Sequence, residues 1–211
     1  MTGIEGGYPS DCELTQGLRQ RAMARHQDDE RGYVWRSCLA KAQPVVLFLL
    51  DVDGVLTDGT ITYTKAGDES KSFHTRDGLG LRLVQKAGVE VGLITARTSE
   101  AVSRRAQDLG ISLVFQGVGK KIAVLEKIMA ERHLEKSQIA YMGDDWLDLP
   151  LLTRVGFAAT VADGALEVKR LVDFVARQAG GRGAVREVCE LIIEAKGQTA
   201  NLLAPYLTAG G

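Results

Sequence analysis

The stretch Val45-Val46-Leu47-Phe48-Leu49-Leu50-Asp51-Val52-Asp53-Gly54 decides the fold. Six consecutive β-branched, aromatic and aliphatic residues read as a strand buried on both faces, the kind found in parallel sheets. Asp51 and Asp53, two residues apart where the apolar run stops, project to the same side. Open α/β sheets place their chemistry at the carboxyl ends of their strands. Two like charges side by side are costly to bury unless a cation sits between them. On these residues alone a solvated turn stays open as the alternative, because Asp and Gly are ordinary turn formers.

Downstream of this run, 60–64 alternates and 71–74 reads as its return strand, with Lys65-Ala66-Gly67-Asp68 as the turn of a hairpin. From Asp77 the pattern becomes one of alternating helix and strand. Leu79, Leu81, Leu83 and Val84 precede Gly88, which suits a helix end, and strands are expected at 89–94, 113–115, 139–142, 157–161 and 174–176. Helices are expected over 100–109, 120–132, 147–152 and 184–195, the last entered through Gly180-Gly181-Arg182-Gly183. Repeated βα units predict an α/β fold: a doubly wound, Rossmann-like parallel sheet with helices on both faces, one inserted hairpin and no large cap domain. The expected organisation is an N-terminal extension over 1–40, partly disordered with a short helix near its end, a folded domain over 41–197 and a tail over 198–211.

Bulk properties narrow the class. A chain of 211 residues with 45% hydrophobic and 25% charged residues has the make-up of an ordinary globular protein. A formal net charge of -1 gives no reason to expect nucleic acid or an anionic membrane as partner. No apolar run approaches the ~20 residues that span a bilayer. Glu5, Asp11 and Glu13 argue against a secretory leader, Met23 offers a second start, and Cys12, Cys38 and Cys189 lack metal-type spacing. A cytoplasmic protein with reduced thiols is expected. His26, His74 and His133 have no ligand-spaced partners, and the Gly180 turn lacks the Lys-Ser/Thr of a P-loop. Trp146 is expected to pack at a helix start.

Four strand ends carry complementary polar groups: Asp51 and Asp53, then Thr95, then Lys121 at a helix start, then Asp144-Asp145. In a parallel sheet these ends share one edge. Carboxylates offering only hard oxygen ligands suit Mg²⁺. A phosphate dianion could not approach them bare, since a like-charge pair at 4 Å costs about 4 kcal/mol at an effective dielectric near 20. Mg²⁺ and the Lys121 ammonium would reverse that field, while the Thr95 hydroxyl can donate to a phosphoryl oxygen.

These motifs, Asp51-x-Asp53-Gly54, Thr95, Lys121 and Gly143-Asp144-Asp145-x-x-Asp148, resemble those of the haloacid dehalogenase superfamily in order and spacing. Three further segments are similar to the 3-deoxy-D-manno-octulosonate 8-phosphate phosphatase family within it. They are Asp53-Gly54-Val55-Leu56-Thr57-Asp58-Gly59, Arg76-Asp77-Gly78-x-Gly80 and Gly180-Gly181-Arg182-Gly183-Ala184-Val185-Arg186-Glu187. The resemblance implies Asp51 as nucleophile, Asp53 as general acid and base, and Thr95 and Lys121 as phosphoryl-binding catalytic groups. It implies Mg²⁺ held by Asp51, the Asp53 carbonyl and Asp144, with Asp145 and Asp148 behind them. It also implies hydrolysis of 3-deoxy-D-manno-octulosonate 8-phosphate to the free sugar acid and phosphate through an aspartyl-phosphate intermediate, in lipopolysaccharide synthesis, and a homotetramer built through the 58–75 hairpin with Thr60, Ile61, Thr62, Tyr63 and Phe73 facing a partner. Candidates for the substrate carboxylate are Arg97, Arg76, Arg182 and Arg186, with Arg97 and Arg182 best placed beside motif turns, because planar guanidinium groups suit carboxylates, and Gly54 is a further candidate substrate contact. Ala96 departs from the family's usual Gly beside Thr95, a small change expected to leave that threonine in place. The alternatives are a phosphatase for another sugar acid phosphate, of the sialic acid 9-phosphate type, and a catalytically silent oligomerisation module.

Overall fold

The computed structural model describes residue 16, residues 32–63, residue 65 and residues 69–208. Expectations for Met23, for most of the 1–40 extension and for the hairpin turn lie outside the described residues. The strands are β1 (Leu47–Leu50), β2 (Thr62–Tyr63), β3 (Glu69–Ser70), β4 (Glu90–Ile94), β5 (Leu113–Phe115), β6 (Ile139–Met142), β7 (Phe157–Thr160) and β8 (Phe174–Val175). The helices are α1 (Tyr33–Ala42), α2 (Thr75–Lys86), α3 (Glu100–Leu109), α4 (Lys121–Arg132), α5 (Leu149–Leu152), α6 (Leu166–Leu171), α7 (Ala184–Ala195) and α8 (Thr199–Leu207).

Six strands form one sheet in the order β5-β4-β1-β6-β7-β8, and every pairing in it is parallel. The chain winds outward from β1 through β4 to β5, then returns to β1's other side with β6. β1 is therefore where the winding direction changes, and the crevice beyond its carboxyl end is the expected place for a ligand. Its side chains alternate between two cores. Phe48 and Leu50 join Leu81, Leu93, Val188 and Leu191 on one face. Leu47 and Leu49 join Ile94, Leu125, Ile139 and Leu151 on the other. All four β1 residues are at most 1% exposed, which is why the apolar run is continuous and not alternating.

The local rules locate most elements, with physical corrections at four places. Val45 and Val46 are not in β1: Val46 N–H already reaches the Gln138 carbonyl at 2.8 Å, but regular ladder pairing starts at Leu47. In the hairpin, only Thr62–Tyr63 pairs, and it pairs with Glu69–Ser70, not with 71–74. Residues 71–74 run on as an irregular segment into α2, and the half-buried Phe73 packs against the core, under the Arg105 guanidinium at 5.6 Å. Toward the C-terminus, the stretch after 198 is helical, not aperiodic, and Leu202 packs against the core. At the other end α1 buries Trp35, Cys38 and Ala42, with the Trp35 ring edge-on to Phe174 at 5.8 Å. No helix among the described residues is long and apolar enough to cross a membrane.

Two of the family-like segments meet at one structural joint. α7 begins at Gly183, which has no side chain to cap the helix. Asp77 on α2 supplies the missing acceptor: its carboxylate receives the N–H of Gly183 at 3.2 Å and of Arg186 at 2.8 Å. Asp77 is 1% exposed, and burial raises its pKa against the opposing pull of these N–H groups. The joint fixes α7 and the turn before it against the β1 loop. Replacing Asp77 with Ala leaves those buried donors unpaired, and a loss of about 1–3 kcal/mol in unfolding free energy is expected in urea titrations. An unchanged midpoint would show that the cross-helix cap contributes nothing.

Candidate active site

Beyond the carboxyl end of β1 the chain folds into a tight loop organised by Thr57. Its buried hydroxyl receives the N–H groups of Gly54 at 3.4 Å and Gly59 at 3.2 Å. Gly54 has φ +88°, and a Cβ there would lie 2.1 Å from Asp144 Oδ2, so only glycine lets the loop approach that carboxylate. The 180–183 turn is pressed onto the same loop. A Cβ on Gly180 would stand 1.8 Å from the Gly54 carbonyl oxygen, and Gly181 N–H donates to the Val55 carbonyl at 2.9 Å.

Asp51, Thr95, Lys121 and Asp144 are brought to this edge as their spacing implies. Lys121 is the first residue of α4 and 5% exposed, and its Nζ lies 2.8 Å from Asp51 Oδ2 and 2.7 Å from Asp148 Oδ1. Burial works against its charge, but the two carboxylates outweigh it and raise its pKa. Asp51 also accepts the Val52 N–H at 2.7 Å. Burial, then Asp148, push the Asp51 carboxyl up to about 6 against the opposing pull of Lys121. Thr95 is buried at the end of β4, where its Oγ1 accepts the Arg97 N–H at 3.3 Å.

Asp148 is fully buried and saturated. Oδ1 receives the Tyr141 hydroxyl at 2.6 Å as well as Lys121, while Oδ2 receives the N–H groups of Asp144 at 3.0 Å and Asp145 at 3.3 Å. Asp144 is the opposite: its Oδ1 is buried with no hydrogen-bond partner. Burial, then Asp51 and Asp148, push its carboxyl up to about 7. Oxygens of Asp51, Asp144 and Asp148 lie within 4.8 Å of one another. This donor set fits a hard divalent cation, because an orphaned carboxylate beside a second one is costly unless a positive charge joins them. With Asp148 saturated, Asp51 and Asp144 are the carboxylates free to hold it. Asp145 instead turns outward to receive the Trp146 N–H at 2.7 Å.

The remaining candidates fall in several places. Asp53 is not one of the three clustered carboxylates and pairs with Lys71, a residue that no sequence motif singles out. Lys71 also lies 2.8 Å from Glu69 Oε1, and Glu69 Oε2 lies 2.5 Å from Arg97 Nη2. Arg97 thus stands beside Thr95 but is held by the hairpin. Arg182 lies on the turn against the β1 loop, 3.4 Å from Asp58. Arg76 is exposed on the first turn of α2, and Arg186 pairs with Glu190 at 2.6 Å on the groove between α2, α7 and α8. Trp146 does not pack: it is 61% exposed, its ring N–H donates to Glu167 at 3.1 Å, and it lines a cleft of about 240 Å³ with Ala96, Lys121 and Pro150. Lys71, Glu69 and Tyr141 are the site residues that sequence reasoning missed. The available signal was slight: Glu69 and Lys71 share one side of an extended segment, and Tyr141 carries a hydroxyl into a fully buried strand.

A parallel sheet that changes direction at an Asp-x-Asp strand end, with a threonine, a buried lysine and an acidic loop converging there, defines a haloacid dehalogenase (HAD) superfamily protein. No family model matches the chain. It is 40% identical over 167 residues to 3-deoxy-D-manno-octulosonate 8-phosphate phosphatase KdsC of Escherichia coli K12, covering 79% of this chain and 89% of that protein. It superposes at TM-score 0.79 and 39% identity on the Moraxella catarrhalis 3-deoxy-D-manno-octulosonate 8-phosphate phosphatase in complex with magnesium ion, phosphate ion and KDO, over 81% of this chain and 98% of that one. A Legionella pneumophila structure described as a HAD superfamily hydrolase of subfamily III A matches at TM-score 0.78 and 36% identity, over 82% and 96% of the two chains. The chain belongs to the 3-deoxy-D-manno-octulosonate 8-phosphate phosphatase family.

The raised carboxyls set a sign for metal binding. In the metal-free protein Asp144 and Asp51 disfavour their charged forms, so the penalty is full above pH 7 and is relieved as pH falls through about 7 and about 6. Mg²⁺ is expected to raise the thermal midpoint most at about pH 8, and its affinity to fall about tenfold per pH unit below about pH 7, steepening toward about a hundredfold per unit below about pH 6 where both carboxyls protonate. A midpoint shift that stays constant between about pH 5 and about pH 8 would place the ion elsewhere.

Proposed function

We propose that this chain is a Mg²⁺-dependent phosphatase that hydrolyses 3-deoxy-D-manno-octulosonate 8-phosphate to the free sugar acid and phosphate, as a step in lipopolysaccharide synthesis. The observation that carries the reading is a single charge arrangement: Asp51 held by a buried lysine on one side, with the buried Asp144 Oδ1, which has no hydrogen-bond partner among the described residues, on the other. A silent oligomerisation module has no need to keep such an arrangement buried at a strand end.

In this reading an Asp51 oxygen attacks phosphorus, forming an Asp51–phosphorus bond as the bond to the sugar oxygen breaks. Asp53 donates a proton to the departing alkoxide and then takes one from the water that cleaves the aspartyl-phosphate, releasing orthophosphate and restoring Asp51. Lys121 already contacts the Asp51 carboxylate and neutralises charge as it builds on the phosphoryl oxygens, and the Thr95 hydroxyl donates to one of them. Asp148, Tyr141 and the α4 start fix the Lys121 ammonium, so it need not reorganise during reaction. Asp51, the Asp53 carbonyl and Asp144 would hold Mg²⁺, which supplies positive charge to the reacting phosphate. Arg97, beside Thr95, is the arginine best placed to meet the substrate carboxylate, with Arg182, Arg76 and Gly54 as further contacts.

The same reading includes a cytoplasmic homotetramer assembled through the 58–75 hairpin. Ile61 is 41% and Tyr63 64% exposed there, an unusual outlay of apolar surface on a two-stranded ribbon. Sedimentation velocity should show a tetramer, and a monomer at micromolar concentration would remove this part of the reading.

The activity test is phosphate release from 3-deoxy-D-manno-octulosonate 8-phosphate with and without Mg²⁺, beside sialic acid 9-phosphate. Preference for the octulosonate ester is expected, with a loss of about three orders of magnitude or more in Asp51→Asn. Equal release from the sialic acid ester would overturn the substrate and keep the chemistry. No release from either would favour the silent module.

A further inference from the structure

We propose that Lys71 is a positioning residue for Asp53, and that the hairpin carries it into the site for that purpose. The inference rests on Asp53 being the acid and base of the proposed reaction. Asp51 and Asp53 both lie just beyond β1, but the structure gives each its own ammonium. Lys121 from α4 contacts Asp51, and Lys71 from the hairpin segment contacts Asp53. The Lys71 side chain is 1% exposed, although lysine is among the residues least often buried. Such burial is not that of a solvated surface charge.

The hold on Lys71 is itself braced. Glu69, two residues earlier and on the same side of an extended segment, lies 2.8 Å from its Nζ. Arg97 Nη2 in turn lies 2.5 Å from the other Glu69 oxygen and 3.4 Å from the Tyr63 hydroxyl. The chain Asp53–Lys71–Glu69–Arg97 therefore joins the β1 loop, the hairpin and the loop after β4. Asp53 needs this support. It sits in a loop beyond the sheet ladder, its side chain is 21% exposed, and the negative Asp51 lies two residues away. Freed from Lys71, its carboxylate would turn toward water and away from the oxygen it must protonate. Lys71 pairs with Asp53 and Glu69 and with none of the clustered carboxylates Asp51, Asp144 and Asp148, so it acts through Asp53.

The test uses the full-length, Mg²⁺-loaded protein and the variants Lys71→Met and Lys71→Arg. Three esters separate the roles. The octulosonate 8-phosphate and ribose 5-phosphate have alkoxide leaving groups that need a proton. 4-Nitrophenyl phosphate releases a phenolate that leaves without one, and its pre-steady-state burst reports bond formation to Asp51 alone. Lys71→Met should lower kcat on the alkyl esters by about 100-fold, with KM and the nitrophenolate burst rate within about threefold of wild type. Lys71→Arg should recover about tenfold of the loss, because it restores a cation within reach of Asp53. An equal fall in burst rate and alkyl turnover would show that Lys71 only supports the fold, and no fall in either would show that it does not position Asp53. Wild-type protein that cleaves the ribose ester and not the octulosonate would overturn the substrate reading alone; the Lys71 comparison on the ribose ester then upholds or overturns the positioning role in the same way.

Discussion

The Lys121 ammonium, set between Asp51 and Asp148, is the interaction on which the site depends. Asp51 and Asp148 are both buried, and no arrangement of like charges at that depth is stable without a cation to join them. Lys121 meets the need only because α4 starts where β5 delivers it to the same edge as β1 and β6. Tyr141 and two backbone N–H groups then saturate Asp148. Of the acidic cluster, this leaves Asp144 with a buried oxygen that nothing among the described residues satisfies. The site is thus neutralised at one end and left unsatisfied at the other, and the unsatisfied end is where chemistry with a metal and a phosphate has its driving force.

Close backbone approach is the second constraint. The β1 loop is packed from below by Asp144 and from the side by the 180–183 turn, at distances that leave no room for a side chain on Gly54 or Gly180. The turn is held in place by Asp77, which caps α7 from another helix. A residue far from the carboxylates in the sequence thereby helps to set the loop that carries Asp53. Asp77 of the Arg-Asp-Gly segment and Gly180, Gly181 and Gly183 of the Gly-Gly-Arg-Gly segment meet at this joint. Arg186 within the second segment faces a groove on the outside of the molecule and pairs with Glu190, away from the acidic cluster.

The hairpin shows why part of the site was hidden. Its strands are two residues each, so alternation over such a length locates a ribbon but not its register. Reading 71–74 as the return strand put Lys71 in a ladder, whereas the shorter pairing frees it to reach Asp53. Phe73 was placed in that strand for the same reason. Trp146 looked like a packing residue because aromatic side chains usually are, but the turn after Asp145 points it over a cleft and not into the core.

By itself the sequence determined the parallel sheet, its central strand and the boundaries that gather polar groups at one edge. A doubly buried strand must be continuously apolar, and its first polar residues mark its end. Asp51, Thr95, Lys121 and Asp144 were legible because each sits at such a boundary, and parallel winding brings those boundaries to one edge. Only the tertiary structure decided which charges pair. It assigned Lys121 to Asp51 and Asp148, Lys71 to Asp53, and Arg97 to Glu69, and it left Asp144 alone. Electrostatic pairing depends on distance and burial across segments far apart in the chain, and no local pattern of residues encodes either.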